Sequence, residues 1–204
     1  MNNRTIKKLY LASASPRRAN LLSQYGFIFE ILTPEAEEIL NPNPLTHTIK
    51  NAQLKAQSVL NKVSVHATIL GVDTVVVADK KIYGKPRTPK ENASMLQVLI
   101  GKKHKVITAL ALISHNHLIF RTLSESTTVF MRAVSQKELQ AYVQTREGID
   151  KAGGYGIQGK GAFLIDRIEG CYNNVIGLPM TRLLTLLHDI PEIDIGSIVP
   201  WLLQ

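Results

Sequence analysis

Residues 68–79, TILGVDTVVVAD, constrain this chain more than any other stretch. The β-branched crowding predicts a buried strand, and a buried strand needs layers packed against it. The flanks supply helical patterns. Upstream, Leu45, Ile49, Ala52, Ala56 and Val59 recur at helical spacing through about residue 62. Downstream, T-P-K-E at 88–91 is a capping box with proline at the first helical position, opening a helix to Gly101. Inside the strand stands a carboxylate, Asp73. Burying it is costly unless it is ion-paired, hydrogen-bonded or bound to a metal, so Asp73 is either a structural ion pair or strand-end cap, or a functional group.

The remaining segments alternate in kind. Residues 7–13 read as a strand, and Ser15 and Pro16 then open a helix that runs to about Gly26. FIFEIL (27–32) is β-like, and the acidic, proline-rich TPEAEEILNPNP is a loop. A Lys80–Lys81 turn leads to a short partner strand, and 105–113 and 118–130 form a hairpin joined by SHNH. SQKE (135–138) caps a helix to about Thr145, GAFLIDRI (161–168) predicts a strand, and 179–190 a last helix. The tail after 190 shows no element. Together these predict an α/β fold, a mixed sheet flanked by helices in one domain or two closely joined lobes. At 204 residues and 45% hydrophobic content, the chain can bury a substantial core.

Composition narrows the partners less. The formal charge of +8 favours polyanions, nucleic acids and nucleotides alike. Basic residues occur as scattered pairs, and aromatics are 6% of the chain and not interleaved with them, which weighs against a nucleic-acid-binding module. One cysteine, Cys171, forms no internal disulfide and reads as a small core or loop residue. The apolar part of the N-terminus is shorter than the roughly 7–15 residues of a signal-peptide core. No apolar run approaches the roughly 18 residues of a membrane span. These features lead us to expect a cytoplasmic protein.

Two glycine motifs are rejected. GYGIQG (154–159) satisfies G-x-G-x-x-G, and GYGIQGKG nearly satisfies a P-loop. Both require a strand before and a helix after, whereas here a polar loop precedes and a strand pattern follows. The loop can still bring Gln158, with its amide donor and acceptor, against a base edge. His115 and His117 lie in the hairpin turn without acidic or cysteine neighbours, so they are read as exposed rather than metal-binding. A set of cations and carboxylates is more informative: Arg17 and Arg18 at a helix start, Glu37 and Glu38 in the acidic loop, Lys55, Asp73 and Lys85. Such a set suits a triphosphate with a divalent ion, with cations on phosphate oxygens and carboxylates on metal or water.

SASPRR (13–18), AEE (36–38), NAQLKA (51–56), GVDTVV (71–76), GKP (84–86) and DKAGGYGIQGKGA (150–162) together resemble the Maf family of nucleoside triphosphate pyrophosphatases. The likeness runs in order from about residue 8 to 188 and leaves out the tail from about 190. It implies two lobes around a cleft, a fold related to inosine triphosphate pyrophosphatases, and metal-dependent hydrolysis of the α–β phosphoanhydride. Mg²⁺ and Mn²⁺ are the candidate ions. The DKAG…YGIQG form resembles the dTTP/UTP branch, a house-cleaning activity on canonical or modified pyrimidine nucleotides. Gly154 stands where that branch usually has alanine. A homodimer and a link to cell-division arrest are implied only by resemblance, and a purine, inosine-type specificity is the nearest alternative. Carried over by position, Asp73 is the catalytic proton acceptor, with direct deprotonation of water and metal holding both open. Ser13, Ser15, Arg18, Lys55 and Lys85 would bind substrate, Arg17, Thr74 and Gln158 would select it, and Glu37 with Asp73 would hold the metal. Arg18 is assigned to the phosphates and Arg17 to the base.

Overall fold

The computed structural model describes residues 8–64, 67–114 and 120–203. The chain forms β1 (Lys8–Ala12), α1 (Pro16–Gln24), β2 (Glu30–Leu32), α2 (Pro44–Gln57), β3 (Ala67–Ala78), β4 (Lys81–Tyr83) and α3 (Pro89–Leu99). Then follow β5 (Lys103–Ser114), β6 (Phe120–Met131), α4 (Gln136–Gln144), β7 (Ile165–Glu169), α5 (Tyr172–Ile176), α6 (Met180–His188) and α7 (Ile195–Ile198). The strands make one mixed sheet in the order β2-β1-β3-β5-β6-β7, with β4 also paired to β3. β1 pairs parallel to β2 and β3, and every other pairing is antiparallel. The α/β class and mixed sheet agree with the sequence.

One edge of β3 is divided between two partners. β1 accompanies it from Ala67 to Gly71, and β4 takes up the same strand only at Val76. Residues 72–75 therefore have no strand beside them on that edge. The packing divides at the same place. Leu70, Val72 and Leu110 pack with Leu22 of α1 and Leu183 of α6, while Val76, Ala78 and Val106 pack with Leu96 of α3 and Leu139 of α4. Side chains alternate along a strand, so 70, 72, 76 and 78 share one face, and Thr74 lies between two cores on that face. The long strands β3, β5 and β6 are thus a common floor, and a cleft opens between the lobes.

The other face of β3 carries α2 at unusually short range. A Cβ built on Gly71 would lie 2.1 Å from the Ala52 carbonyl oxygen and 2.9 Å from Ala56 Cβ. Ala52 and Ala109 are fully buried in the same layer, so small side chains let the helix settle onto the strands. Asn43 starts α2 by accepting a hydrogen bond from the Thr46 N–H, and α2 in turn positions Lys55.

Several boundaries differ from those the sequence predicts. α1 stops at Gln24, and the helix expected to reach residue 62 ends at Gln57, followed by a 3₁₀ turn at Leu60–Lys62. The strand expected at 161–168 begins only at Ile165, because Lys160–Leu164 coil into a 3₁₀ turn. The Ser135–Glu138 capping box is complete, but Glu91 bonds the Arg87 N–H instead of its own cap residue. α5, α7 and the 3₁₀ turn at Pro200–Leu203 escape detection because one turn shows no periodicity. The tail packs on the core nonetheless: Ile198 and Val199 are fully buried, and Trp201 Nε1 donates to the Tyr25 carbonyl. His115 and His117 lie outside the described residues.

Gly71→Ala is expected to destabilise the fold by about 1–3 kcal/mol, the usual cost of forcing extra volume into a packed layer. Urea unfolding should show a lower midpoint at a nearly unchanged m-value, since one methyl group barely alters the surface exposed on unfolding.

Candidate active site

A cavity of about 1130 Å³ lies at the fork in the sheet. Ser15, Arg17, Arg18, Lys55, Asp73, Thr74, Lys85 and Gln158 all line it, from segments far apart in the sequence. Ser13 and Glu37 do not. Ser13 is buried behind the wall, where its hydroxyl accepts hydrogen bonds from the Ser15 N–H (3.2 Å) and from Arg18 (3.0 Å). Glu37 is exposed outside the cavity, and its neighbour Glu38 faces inward. Two consecutive glutamates in a loop carry no periodicity to say which one faces the cleft, and the fold brings Glu38 rather than Glu37 to its wall.

Asp73 sits where β3 is unpaired on one edge. Its Oδ1 accepts a hydrogen bond from Lys55 Nζ at 2.6 Å, and the same ammonium meets Glu38 Oε1 at 2.7 Å. The Asp73 and Lys55 side chains are only 7% and 14% exposed, so this pairing offsets a real desolvation cost. Asp73 Oδ2 is buried with no hydrogen-bond partner. Burial works against the Glu38 carboxylate, yet Lys55, Lys85 and His47 outweigh it and hold its pKa below the usual value. Lys85 is shifted down, first by burial and then by the nearby charges of Arg18 and Lys55. The pocket thus holds more positive charge than it neutralises, which is favourable for a polyanion and costly without one.

Arg18 serves mainly as a brace. Its Nε donates to the Gly177 carbonyl, one Nη to Ser13 Oγ and the Val72 carbonyl, and the other Nη to Thr74 Oγ1. It thereby satisfies a carbonyl on the strand edge that β1 and β4 leave open. Four of a guanidinium's five N–H donors are committed in this way, leaving one for a ligand. Burial is the main reason its pKa falls to about 10, partly offset by Asp73. Thr74 is equally occupied, hydrogen-bonded to Thr108 at 2.9 Å as well as to Arg18. Arg17 is held differently, by Asp150 on the opposite lobe. Burial opposes ionisation of that carboxylate, but Lys151 and Arg17 together hold its pKa below normal.

The glycine-rich loop that carries Gln158 is pinned at several points. Asn92 Nδ2 donates to the Gly154 carbonyl at 2.7 Å, and Tyr155 Oη lies 2.7 Å from His104 Nε2. The Gly153 N–H donates to the Gly84 carbonyl, next to Lys85. Gly153 has φ +72°, and a Cβ there would lie 2.7 Å from Val76 Cγ2, so only glycine fits without strain. Glu147 takes the N–H groups of Lys160 and Gly161 at 2.8 and 2.9 Å. These donors would serve phosphate in a P-loop; here a carboxylate uses them, which explains why the motif misleads.

Residues 8–190 match the Maf family, described as Maf-like protein. The chain belongs to the Maf family. A dTTP/UTP pyrophosphatase of Carboxydothermus hydrogenoformans is 41% identical over 183 residues, 89% of this chain and 98% of that protein. A dTTP/UTP pyrophosphatase of Acetivibrio thermocellus is 44% identical over 192 residues, 89% of this chain and 94% of that protein. A solved dITP/XTP pyrophosphatase of Mycobacterium abscessus aligns with 61% of this chain and 74% of its own, at 14% identity and a TM-score of 0.39. In this Maf protein the matched region ends where the tail begins, and α7 lies beyond it.

Sequence reasoning missed Glu147 and Asp150, which line the cavity, and Asn92 and His104, which hold the loop behind it. Asp150 stood inside a quoted motif, but the others carry no local signal, because their partners are 13 to 62 positions away. His104 yields a sharp prediction. It is buried, and burial pushes its pKa down from 6.5 to about 4. The unfolded chain therefore binds a proton that folded His104 refuses. Its contribution to stability is fully present above pH 6.5 and is lost as the pH falls toward 4. His104→Gln keeps a hydrogen-bonding group for Tyr155 but does not titrate. The stability gap between wild type and this variant, measured by urea unfolding, should shift by at least 1 kcal/mol in the variant's favour from pH 7 to pH 5.

Proposed function

We propose that this Maf protein hydrolyses dTTP and UTP, canonical or modified, to the nucleoside monophosphate and pyrophosphate. The observation that carries the reading is the buried, unpartnered Oδ2 of Asp73, set in a cleft with Arg17, Arg18, Lys55 and Lys85. Lys55 fixes Oδ1, so Oδ2 is the oxygen through which the carboxylate meets the attacking water or the ion that activates it. The water oxygen bonds to the α-phosphorus as the bond to the bridging oxygen breaks, and pyrophosphate leaves. In this reading Lys85, with Lys55 beside it on the cavity wall, neutralises the charge building on that leaving group. The first turn of α1 has no acidic side chain, and the Ser15 hydroxyl does not cap it, so hydroxyl and N–H groups are left available to a phosphate. Two arginines at a helix N-terminus oppose the helix dipole, which suits an anion site rather than helix stability.

A divalent cation fits this arrangement. The orphaned Asp73 Oδ2 and the Glu38 carboxylate are its natural ligands. Among the described residues no group of three or more His, Cys, Asp or Glu side chains could hold a metal. Such a poor protein cage matches Mg²⁺ or Mn²⁺ shared with substrate phosphates and water. When bound, the ion supplies electrostatic stabilisation of the charge on the phosphoryl oxygens. Gln158 presents an amide donor and acceptor to the O4 and N3–H edge of uracil or thymine. Cations enclosed in a cleft favour a small anion over a nucleic-acid backbone, which needs an open basic face. Among the described residues no helix is long and apolar enough to cross a membrane; a cytoplasmic location is part of the same proposal, because the substrates belong to the nucleotide pool.

Asp73→Asn should lower pyrophosphate release from dTTP by about 10²–10⁴-fold, the range for loss of a general acid–base group. The fold should survive, because Lys55 keeps Glu38; turnover at the wild-type rate would overturn the assignment. A nucleotide panel with Mg²⁺ and Mn²⁺, scoring pyrophosphate separately from orthophosphate, tests reaction and base class together. In that panel Gln158→Ala should narrow the preference for dTTP and UTP over purine triphosphates by about tenfold, the scale of one lost base-edge contact.

A further inference from the structure

Arg17 crosses the cleft. One Nη donates to Asp150 Oδ2 at 2.7 Å, and the other donates to the Asp150 main-chain carbonyl at 3.2 Å. Two bonds from one guanidinium to one residue fix both its direction and its plane. Among the ion pairs of the described residues, this is the one joining α1 to the loop that carries Gln158. Asp150 is itself steadied by Lys151 Nζ at 2.6 Å, and that ammonium also donates to the Glu147 carbonyl. Unlike Arg18, Arg17 keeps three of its five N–H donors for a ligand.

A carboxylate on the wall of a triphosphate site needs an explanation, since it repels the ligand. Asp150 lines the cavity, and both its cationic neighbours neutralise it. We infer that Asp150 is a positioning residue for base selection, holding Arg17 against the Gln158 loop so that both side chains address one pyrimidine base. The inference rests on the proposed pyrimidine nucleotide activity. A free arginine samples many rotamers, and the fraction of time spent in the productive one multiplies the apparent affinity. Asp150 has no bond to Asp73, Lys55 or Glu38, so its loss affects binding and choice of base more than chemistry.

The test is steady-state kinetics of the full chain, wild type, Asp150→Ala and Asp150→Asn, on dTTP, UTP and purine triphosphates with Mg²⁺. Asp150→Ala should raise KM for dTTP and UTP about tenfold with kcat reduced less than about threefold, and narrow the preference over purines. Asp150→Asn, which retains a side-chain oxygen and the main-chain carbonyl, should recover part of that loss. Arg17→Ala combined with Asp150→Ala should be no worse than Arg17→Ala alone, because the pair acts as one unit. A wild-type enzyme inactive on dTTP and UTP overturns the proposed function and this inference with it. An active wild type with unmoved base preference in Asp150→Ala overturns this inference alone. So does a lower KM in that variant, which would make Asp150 a competitor for Arg17, or a parallel collapse of kcat and thermal stability.

Discussion

The Lys55 ammonium between two carboxylates is the interaction on which this structure turns. It meets Asp73 at 2.6 Å and Glu38 at 2.7 Å, binding α2, β3 and the acidic loop at one point. That distance exists only because α2 lies against the backbone of β3, and the approach in turn depends on the missing side chain of Gly71. A buried carboxylate stripped of its partner costs about 3–5 kcal/mol, so loss of Lys55 would cost the fold more than loss of Asp73, after which the ammonium still has Glu38. The second oxygen of Asp73 is left without a partner by the same geometry. Structure and reactivity are therefore set by one contact.

The cleft has an equally simple origin. A strand of 12 residues is longer than either neighbour on one of its edges, and β1 and β4 leave residues 72–75 between them. Exposed backbone groups at such a gap must be satisfied, and Arg18 does so at Val72 while also binding Ser13, Thr74 and Gly177. A side chain that seals the gap has little freedom to follow a ligand. Arg18 and Lys55 are committed to acceptors of the fold, whereas Arg17, though oriented by Asp150, keeps donors for a ligand.

The two sides of the cavity are built by different means. The side that carries Arg18 and Asp73 rests on the sheet and on α1, which pack on the core. The side that carries Gln158 is a loop, held by Asn92, His104 and Glu147 at separate points along its length. Tyr155 and Ala152 pack the loop onto the core, while polar bonds fix its backbone, so its inner surface can stay polar. This anchoring also makes the loop sensitive to single side chains that never touch a ligand.

Much of this was legible in the sequence. Strand and helix periodicity, the proline-led helix starts and the Ser135 capping box are local signals, and local signals survive without a fold. The lone carboxylate in a β-branched run pointed to Asp73, and the motif series from SASPRR to DKAGGYGIQGKGA pointed to the Maf family. Other features depend on partners far apart in the chain. Tertiary structure chose Glu38 over Glu37, withdrew Ser13 behind the wall, committed Arg18 to carbonyls and hydroxyls, and gave the P-loop-like amides to Glu147. It also packed a tail without visible pattern onto the core. By itself the sequence determined which elements form and which residue types could act. Only the tertiary structure decided which atoms remain free to act, because a donor's availability depends on every acceptor that folding brings within reach.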